Sequence, residues 1–576
     1  MMLGLTMRVQ RPAWQSKPQN IISILSMHRS LSTIADQEPY WQKIKPWKDV
    51  TAAEFKTYRW QLANTVPDAR RLQRFLENVL PPTIGKTTNR LLKHITTKQH
   101  FIDDASAALK MAPMAIRLTP HLLSAIDWEN PLDDPVRLQF LPLASGIVAD
   151  HQKLTLDSLN EQEDSPVPGL VHRYPGRALF LATSICPVYC RFCTRSYAVG
   201  ANTETVSKLP QKPSRKRWEV VFQHIESDPS LHDIVVSGGD AYYLQPDDLR
   251  EIGERLLNIP HIQRVRFASK GLAVAPCRIT DNTDTWTSTL IELSNKGRDM
   301  GKQVCLHTHI NHANEITWVT REAANRLFKH GVIVRNQSVL LKGVNDTEEA
   351  LSDLIGTLAS MNIQPYYIYQ CDMVRGIEDL RTPLQTILDL DLKLRGTLSG
   401  FMMPAFVIDL PGGGGKRLVS TYDEYDPDTG VATYKAPGLP GVKGQMIYTY
   451  HDPKPEKHDI AEELRQEQKL DQASEKHVIT EELRHDQKQE QASEQDMPLQ
   501  QLTSPTIPKQ GPSIPLSESD YRRKKQFIQP PRLTQIPAAT NVGHAGIKPE
   551  DLATPNLGVS SWQHASAAAA APNATL

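Results

Sequence analysis

Long apolar runs are missing from this chain. Nowhere do 18 apolar residues follow one another, so the sequence offers no membrane-spanning helix. A surplus of charge is missing too: 65 basic residues balance 65 acidic ones among 576. That balance removes the argument for nucleic acid as a general partner. Cysteine is scarce, six in all, and too few for a disulfide scaffold at this length. Acid is absent from the first 35 residues, where Arg8, Arg11, Lys17, Arg29 and several serines stand. Such a start reads as an organelle transit segment over residues 1–38, most simply mitochondrial; without it the chain would be cytoplasmic.

Packing residues run short at the other end as well. From about residue 453 the sequence is polar, then rich in Pro, Ser, Thr and Ala. It contains a tandem duplication, AEELRQEQKLDQASE (461–475) and TEELRHDQKQEQASE (480–494), offset by 19 residues. The repeat has too few apolar positions to build a core, so 453–576 is expected to be a disordered, solvated tail. Residues 39–165 read as helical. The stretch 49–64 sets Val50, Phe55 and Trp60 among polar residues, with Thr51 and Glu54 as a capping box.

Over 166–425 the pattern alternates. Short β-rich runs occur at 178–183, 233–238, 264–269, 303–308, 331–336, 366–371 and 405–410, separated by helix-compatible stretches such as 246–258 and 347–361. Strand–helix repetition predicts an α/β fold with a parallel sheet, closed here into a partial (β/α) barrel. The disposition of polar residues selects the barrel: cysteines follow the first run, Gly238-Gly239-Asp240 the second, His307 and His309 the fourth, then Gln337, Asp372 and Lys416. Barrel active sites lie at the C-terminal ends of the strands. Residues 426–452 read as a C-terminal extension of this core.

Half of the cysteines, Cys186, Cys190 and Cys193, fall within SICPVYCRFCTRSYAVG (184–200). Three thiolates hold three irons of a cubane cluster and leave the fourth open to a small chelating molecule. Zinc would want a fourth ligand, and the nearest candidate, His172, lies on the far side of the 178–183 strand. LPGGGGKRL (410–418) is the second unusual stretch. It fails as a phosphate loop, because the leading glycine is missing and Arg417 stands where Ser or Thr is needed. Four glycines suggest a mobile backbone that lets Lys416 swing, and a lysine amine can form a Schiff base with pyridoxal phosphate.

The CxxxCxxC spacing, followed by SGGD (237–240), resembles the radical S-adenosylmethionine superfamily. Nine segments taken in order narrow the resemblance: WKDVTAAEFKTYRWQLAN, RLTPHLLSAIDWENPLDDPVR, HRYPGRALFLATSICPVYCRFCTR, VVSGGDA, THINHANEIT, RNQSVLLKGVND, YYIYQCD, RTPL and VIDLPGGGGK. Over roughly residues 40 to 420 the chain resembles the lysine 2,3-aminomutase family. The resemblance implies three cofactors: a [4Fe–4S] cluster on Cys186, Cys190 and Cys193, S-adenosylmethionine, and pyridoxal phosphate on Lys416. It implies that Arg173, Tyr174 and Arg177 meet the pyridoxal phosphate. Ser237, Gly238, Gly239, Asp240, His309 and Gln337 would contact S-adenosylmethionine, and Tyr369 would lie near the cofactors. Arg195 would pair with the substrate carboxylate, and Asp372 and Asp409 with a distal ammonium. The implied reaction moves an amino group from C2 to C3 of an amino acid. Lysine suits two aspartates; arginine and glutamate remain open, as does a non-catalytic iron–sulfur protein of this fold. A protein reductant is implied, and a homo-oligomer is compatible. Relatives with extra cysteines bind zinc between subunits; none follows Cys371 here, so that zinc is not expected.

Overall fold

The structure, a computed structural model, describes residues 38–209 and 213–454. The acid-free start, and the tail from 455 with its tandem repeat, lie outside the described residues. Among the described residues no helix is long and apolar enough to cross a membrane.

The first segment folds as short helices around aromatic side chains. The capping box forms: Thr51 and Glu54 exchange hydrogen bonds through both side chains and backbones. The helix it starts, Ala52–Phe55, is short, because Thr57 caps a second helix, Tyr58–Ala63, by accepting from the Trp60 amide. Two pieces therefore replace the single helix that 49–64 suggests. Trp41 stacks on Phe55 at 4.2 Å, and this cluster is continuous with the core beneath the first strands of the barrel.

Nine strands form one sheet in chain order. They are β1 (Leu170–Tyr174), β2 (Arg177–Thr183), β3 (Asp233–Gly238), β4 (Arg264–Ala268), β5 (Gln303–His309), β6 (Ile333–Val339), β7 (Gln364–Tyr369), β8 (Ala405–Leu410) and β9 (Gly415–Leu418). Strands β2 to β8 run parallel; β1 and β9 fold back antiparallel on the two edges. This is the expected partial barrel, its strands buried as parallel strands require. The covering helices show why the alternation was readable. Pro246–Asn258 starts on a proline, carries Asp247 and Asp248 in its first turn and Arg255 in its last, and buries Leu249, Ile252, Leu256 and Leu257 along one face. Glu348–Ser360 is capped by Thr347 and buries Leu351, Leu354, Ile355 and Leu358.

Strand β6 starts two residues later than the 331–336 pattern. Gly331 takes a left-handed φ of 71° closing the helix before it, so the strand begins at Ile333. The extension forms a separate antiparallel sheet of β10 (Glu424–Asp426), β11 (Val431–Lys435) and β12 (Ile447–His451). Its Tyr434, Tyr448 and Tyr450 share a core with Phe406, Ile408 and Leu410 of β8.

Candidate active site

A cavity of about 370 Å³ opens at the C-terminal ends of the parallel strands. Every site residue expected from the sequence lines it. Arg173 and Tyr174 come from β1, Arg177 from the start of β2, and Cys186, Cys190, Cys193 and Arg195 from the loop after β2. Ser237, Gly238, Gly239 and Asp240 come from the end of β3, His309 from β5, Gln337 from β6, and Tyr369 and Asp372 from β7 and its exit. Asp409 of β8 and Lys416 of β9 complete the wall.

The cysteine loop has no regular structure and is held from outside. Tyr189 and Arg191 donate their amides to the carbonyls of Arg117 and Gln139, at 3.3 and 3.0 Å. The Arg191 guanidinium grips Asp379 through both carboxylate oxygens at 2.8 Å. The N-terminal helical segment is thus part of the scaffold of the site. Burial pushes all three thiols up, Cys190 to about 12, and neighbouring thiols push Cys186 the same way. A metal ion bound by these thiols would favour their thiolate form.

The glycines after β3 have a local reason. Gly238 sits at φ 104°, and a Cβ there would come within 2.3 Å of the Thr183 carbonyl oxygen. A Cβ on Gly239 would lie 2.6 Å from the Ile185 backbone. The SGGD turn lies directly against the chain entering the cysteine loop, and only glycine permits that approach. Asp240 then accepts from the amides of Tyr242 and Lys270, both at 2.8 Å, and burial raises its carboxyl to about 6. His309 is held neutral, its pKa lowered to about 3 by burial and then by Lys270; its Nε2 lies 3.0 Å from Asn311 Oδ1.

Lys416 does not ride on a free loop. Gly412, Gly413 and Gly415 take φ values of 75°, 90° and 76°, conformations that reverse the chain at low cost only for glycine. The four glycines therefore form a hairpin turn, and Lys416 is paired in register opposite Asp409. Its amide donates to Tyr174 Oη at 2.9 Å. Its ammonium meets Asp409 Oδ2 at 2.7 Å and lies 5.8 and 5.6 Å from the ring centres of Tyr174 and Tyr369. Burial is the largest influence and opposes this charge, but Asp409 together with Tyr369 and Tyr174 more than offsets it and raises the amine. Arg173 has its donors engaged: Nε to Asp164 at 3.0 Å, Nη1 to Asp409 at 3.2 Å and Nη2 to the Leu159 carbonyl at 2.7 Å. Asp164 also pairs with Lys443 of the C-terminal extension. Arg177 lies 3.9 Å over the Tyr174 ring.

Asp372 is incompletely satisfied. Its Oδ1 is buried with no hydrogen-bond partner. Burial, then the nearby Asp409, raise its carboxyl to about 8. Arg195 pairs with Glu161 at 2.7 Å, and Tyr197 donates to the other Glu161 oxygen at 3.2 Å. Glu161 and Asp164 escaped the sequence reading because EQED (161–164) looks like an ordinary charged loop. Lys270, buried on Glu315 and the His309 carbonyl at 2.8 Å each, was reachable by the rule that polar residues follow strands, since it stands two residues past β4.

No family model matches the chain. It is 37% identical over 373 residues to the L-lysine 2,3-aminomutase of Clostridium subterminale, covering 65% of this chain and 80% of that one. It is 30% identical over 375 residues to the glutamate 2,3-aminomutase of Clostridioides difficile, covering 65% and 79%. Among solved structures, a radical SAM methyltransferase from Sphaerobacter thermophilus overlays on 41% of this chain and 68% of its own, at 16% identity and a TM-score of 0.26, too partial an overlay to bear on function.

Proposed function

The chain belongs to the lysine 2,3-aminomutase family, and on that premise we propose that it moves the α-amino group of L-lysine from C2 to C3 to give β-lysine. The observation that carries this choice is the pair Asp372 and Asp409, one of them with a buried oxygen that lacks any partner.

The donor sets in the cavity fit the cofactors the family implies. Cys186, Cys190 and Cys193 are three half-buried thiols that a metal would ionise, Lys416 offers the amine for pyridoxal phosphate, and Arg173, Tyr174 and Arg177 face it with cation and hydroxyl. Ser237, Gly238, Gly239, Asp240, His309 and Gln337 would border S-adenosylmethionine. When bound, the cluster with S-adenosylmethionine supplies a carbon-centred radical, and pyridoxal phosphate supplies a ring that spreads an unpaired electron.

The protein's residues bind and orient. Arg195 meets the substrate carboxylate with its fork of donors, taking it in place of part of the Glu161 contact. Lys416, once its amine is committed to the cofactor, no longer neutralises Asp409. The substrate ammonium then fills the place between Asp409 and Asp372, two carboxylates that would otherwise be left short of positive charge in a buried site. A glutamate side chain would bring a third carboxylate to the same place. Tyr369, half-buried with its ring 5.6 Å from the Lys416 ammonium, would shield it from water.

The test is anaerobic incubation of the reconstituted protein with S-adenosylmethionine, pyridoxal phosphate and reductant, separately with L-lysine, L-arginine and L-glutamate. β-Lysine from the first arm is the expected product. Turnover of glutamate with none of lysine would overturn the substrate, and cofactor loading without turnover of any of the three would favour a non-catalytic iron–sulfur protein.

A further inference from the structure

Outside the cavity, one group of ligating side chains has no part in this chemistry. In strand β1, Val171, Arg173 and Tyr174 line the cavity, whereas His172 lies outside it, beside Asp228 and His224. The helix Arg215–Ser227 lies outside the barrel there, with Trp218 and Phe222 against Phe180 of β2. His224 in its last turn and Asp228 at its C-cap are four residues apart, so both project from one side of the helix end. Ligand atoms of His172, His224 and Asp228 all lie within 4.8 Å of one another.

The details favour a cation. His172 Nδ1 is 3.8 Å from Asp228 Oδ2, and the two imidazoles meet edge to face at 5.9 Å. Asp228 Oδ1 is already oriented by the amide and hydroxyl of Ser230, at 3.1 and 2.7 Å, which leaves Oδ2 free to ligate. His224 Nε2 is buried without a hydrogen-bond partner, a costly condition that a bound ion relieves. The carboxylate orientation by Ser230 is the kind of outer support that metal ligands use.

We propose that His172, His224 and Asp228 form a zinc site on the outer face of the barrel, with water as fourth ligand, clipping β1 to the helix Arg215–Ser227. Two imidazoles and one carboxylate suit zinc better than calcium or magnesium, which take oxygen. Zn–N bonds of about 2.0 Å place ligand atoms about 3.3 Å apart, so the side chains draw in by about an ångström on binding. The site is separate from the cysteine triad, which faces the cavity. His172 adjoins Arg173 and Tyr174, so occupancy would stiffen the strand that carries them.

The test uses the anaerobically reconstituted holoenzyme, loaded with zinc and passed over a chelating resin, with metals counted and zinc K-edge fine structure recorded. The expected result is about one retained zinc per chain, surrounded by nitrogen and oxygen at about 2.0–2.1 Å and by no sulfur. The double variant His172→Gln/His224→Gln should retain none and keep its iron. A sulfur shell at about 2.3 Å would put the zinc on cysteine and overturn the proposal. Loss of zinc from the wild type on the resin, or equal retention by the variant, would overturn it too. If the variant fails to hold iron, the wild-type fine structure decides alone.

Discussion

Asp372 is the residue on which the substrate choice turns, and its titration gives the choice a measurable form. Its carboxyl is raised from an ordinary 3.8 to about 8, by burial first and by Asp409 second. The folded state thus keeps a proton that the unfolded state releases between those values. Stability from this group is complete below about pH 4 and is lost as pH rises through about 8. Asp372→Asn should therefore flatten that slope and stabilise the ligand-free protein by about 1–3 kcal/mol at alkaline pH, read by thermal melts at several pH values. The same change should raise KM for lysine roughly 10- to 100-fold, the loss of a charged hydrogen bond worth about 1.5–3 kcal/mol. In the wild type kcat/KM should rise as pH climbs toward about 8 and Asp372 ionises; in the variant that limb should vanish. A variant with unchanged KM would remove Asp372 from the substrate site. Lys416→Ala separates the two cofactors: it should abolish the absorbance of lysine-bound pyridoxal phosphate and leave the iron content intact, because the cysteine loop is held by Arg117, Gln139 and Asp379 and not by β9.

At the scale of elements, the contact between β3 and the cysteine loop joins two motifs that look independent in the sequence. Gly238→Ala would force a Cβ to within 2.3 Å of the Thr183 carbonyl oxygen from a left-handed φ of 104°. The cost should be about 2–4 kcal/mol, and the iron bound per chain after reconstitution should fall sharply while far-UV circular dichroism changes little. Full iron occupancy would show that the turn serves only the ligand side. This contact also explains what was legible. The seven parallel strands could be read because each is a short β-rich run with a buried apolar face, as in RVRFA of β4 where Val265 and Phe267 are buried, and the helices between them because their apolar residues repeat on one face. Strands β1 and β9 could not: LVHRY and GKRL pair on one edge each and carry mostly polar residues. Most of the seventeen expected site residues could be placed at one mouth because barrel topology brings strand ends together whatever lies between them. Glu161 and Asp164 could not, since their role depends on a loop crossing to Arg195 and Arg173, and no local spacing records that crossing.

For the barrel as a whole, the gap between its two edge strands is bridged by side chains. The sheet ends at β1 and β9, and Tyr174 of one reaches the Lys416 amide of the other. A row of alternating charges runs through this seam: Lys443, Asp164, Arg173, Asp409, Lys416. Its first member belongs to the C-terminal extension, which also leans on the glycine turn, where a Cβ on Gly414 would meet Tyr448 at 2.6 Å. The extension thus reaches the Lys416 turn without lining the cavity itself. If Lys443 is removed, Asp164 keeps only Arg173 as a cation and draws it away from Asp409, which then binds Lys416 more tightly as an ammonium. Lys443→Gln should therefore weaken pyridoxal phosphate binding and leave the cluster untouched. Lys443 is 32% exposed, so solvent screening limits the effect to about 1 kcal/mol, roughly fivefold in affinity. Lys443→Arg should restore binding, since charge rather than shape carries the effect. Titration of each variant with pyridoxal phosphate, followed by absorbance at fixed pH, reads the difference. Equal affinity in wild type and Lys443→Gln would mean that the row of charges ends at Arg173 and that the extension supports the barrel by apolar packing alone.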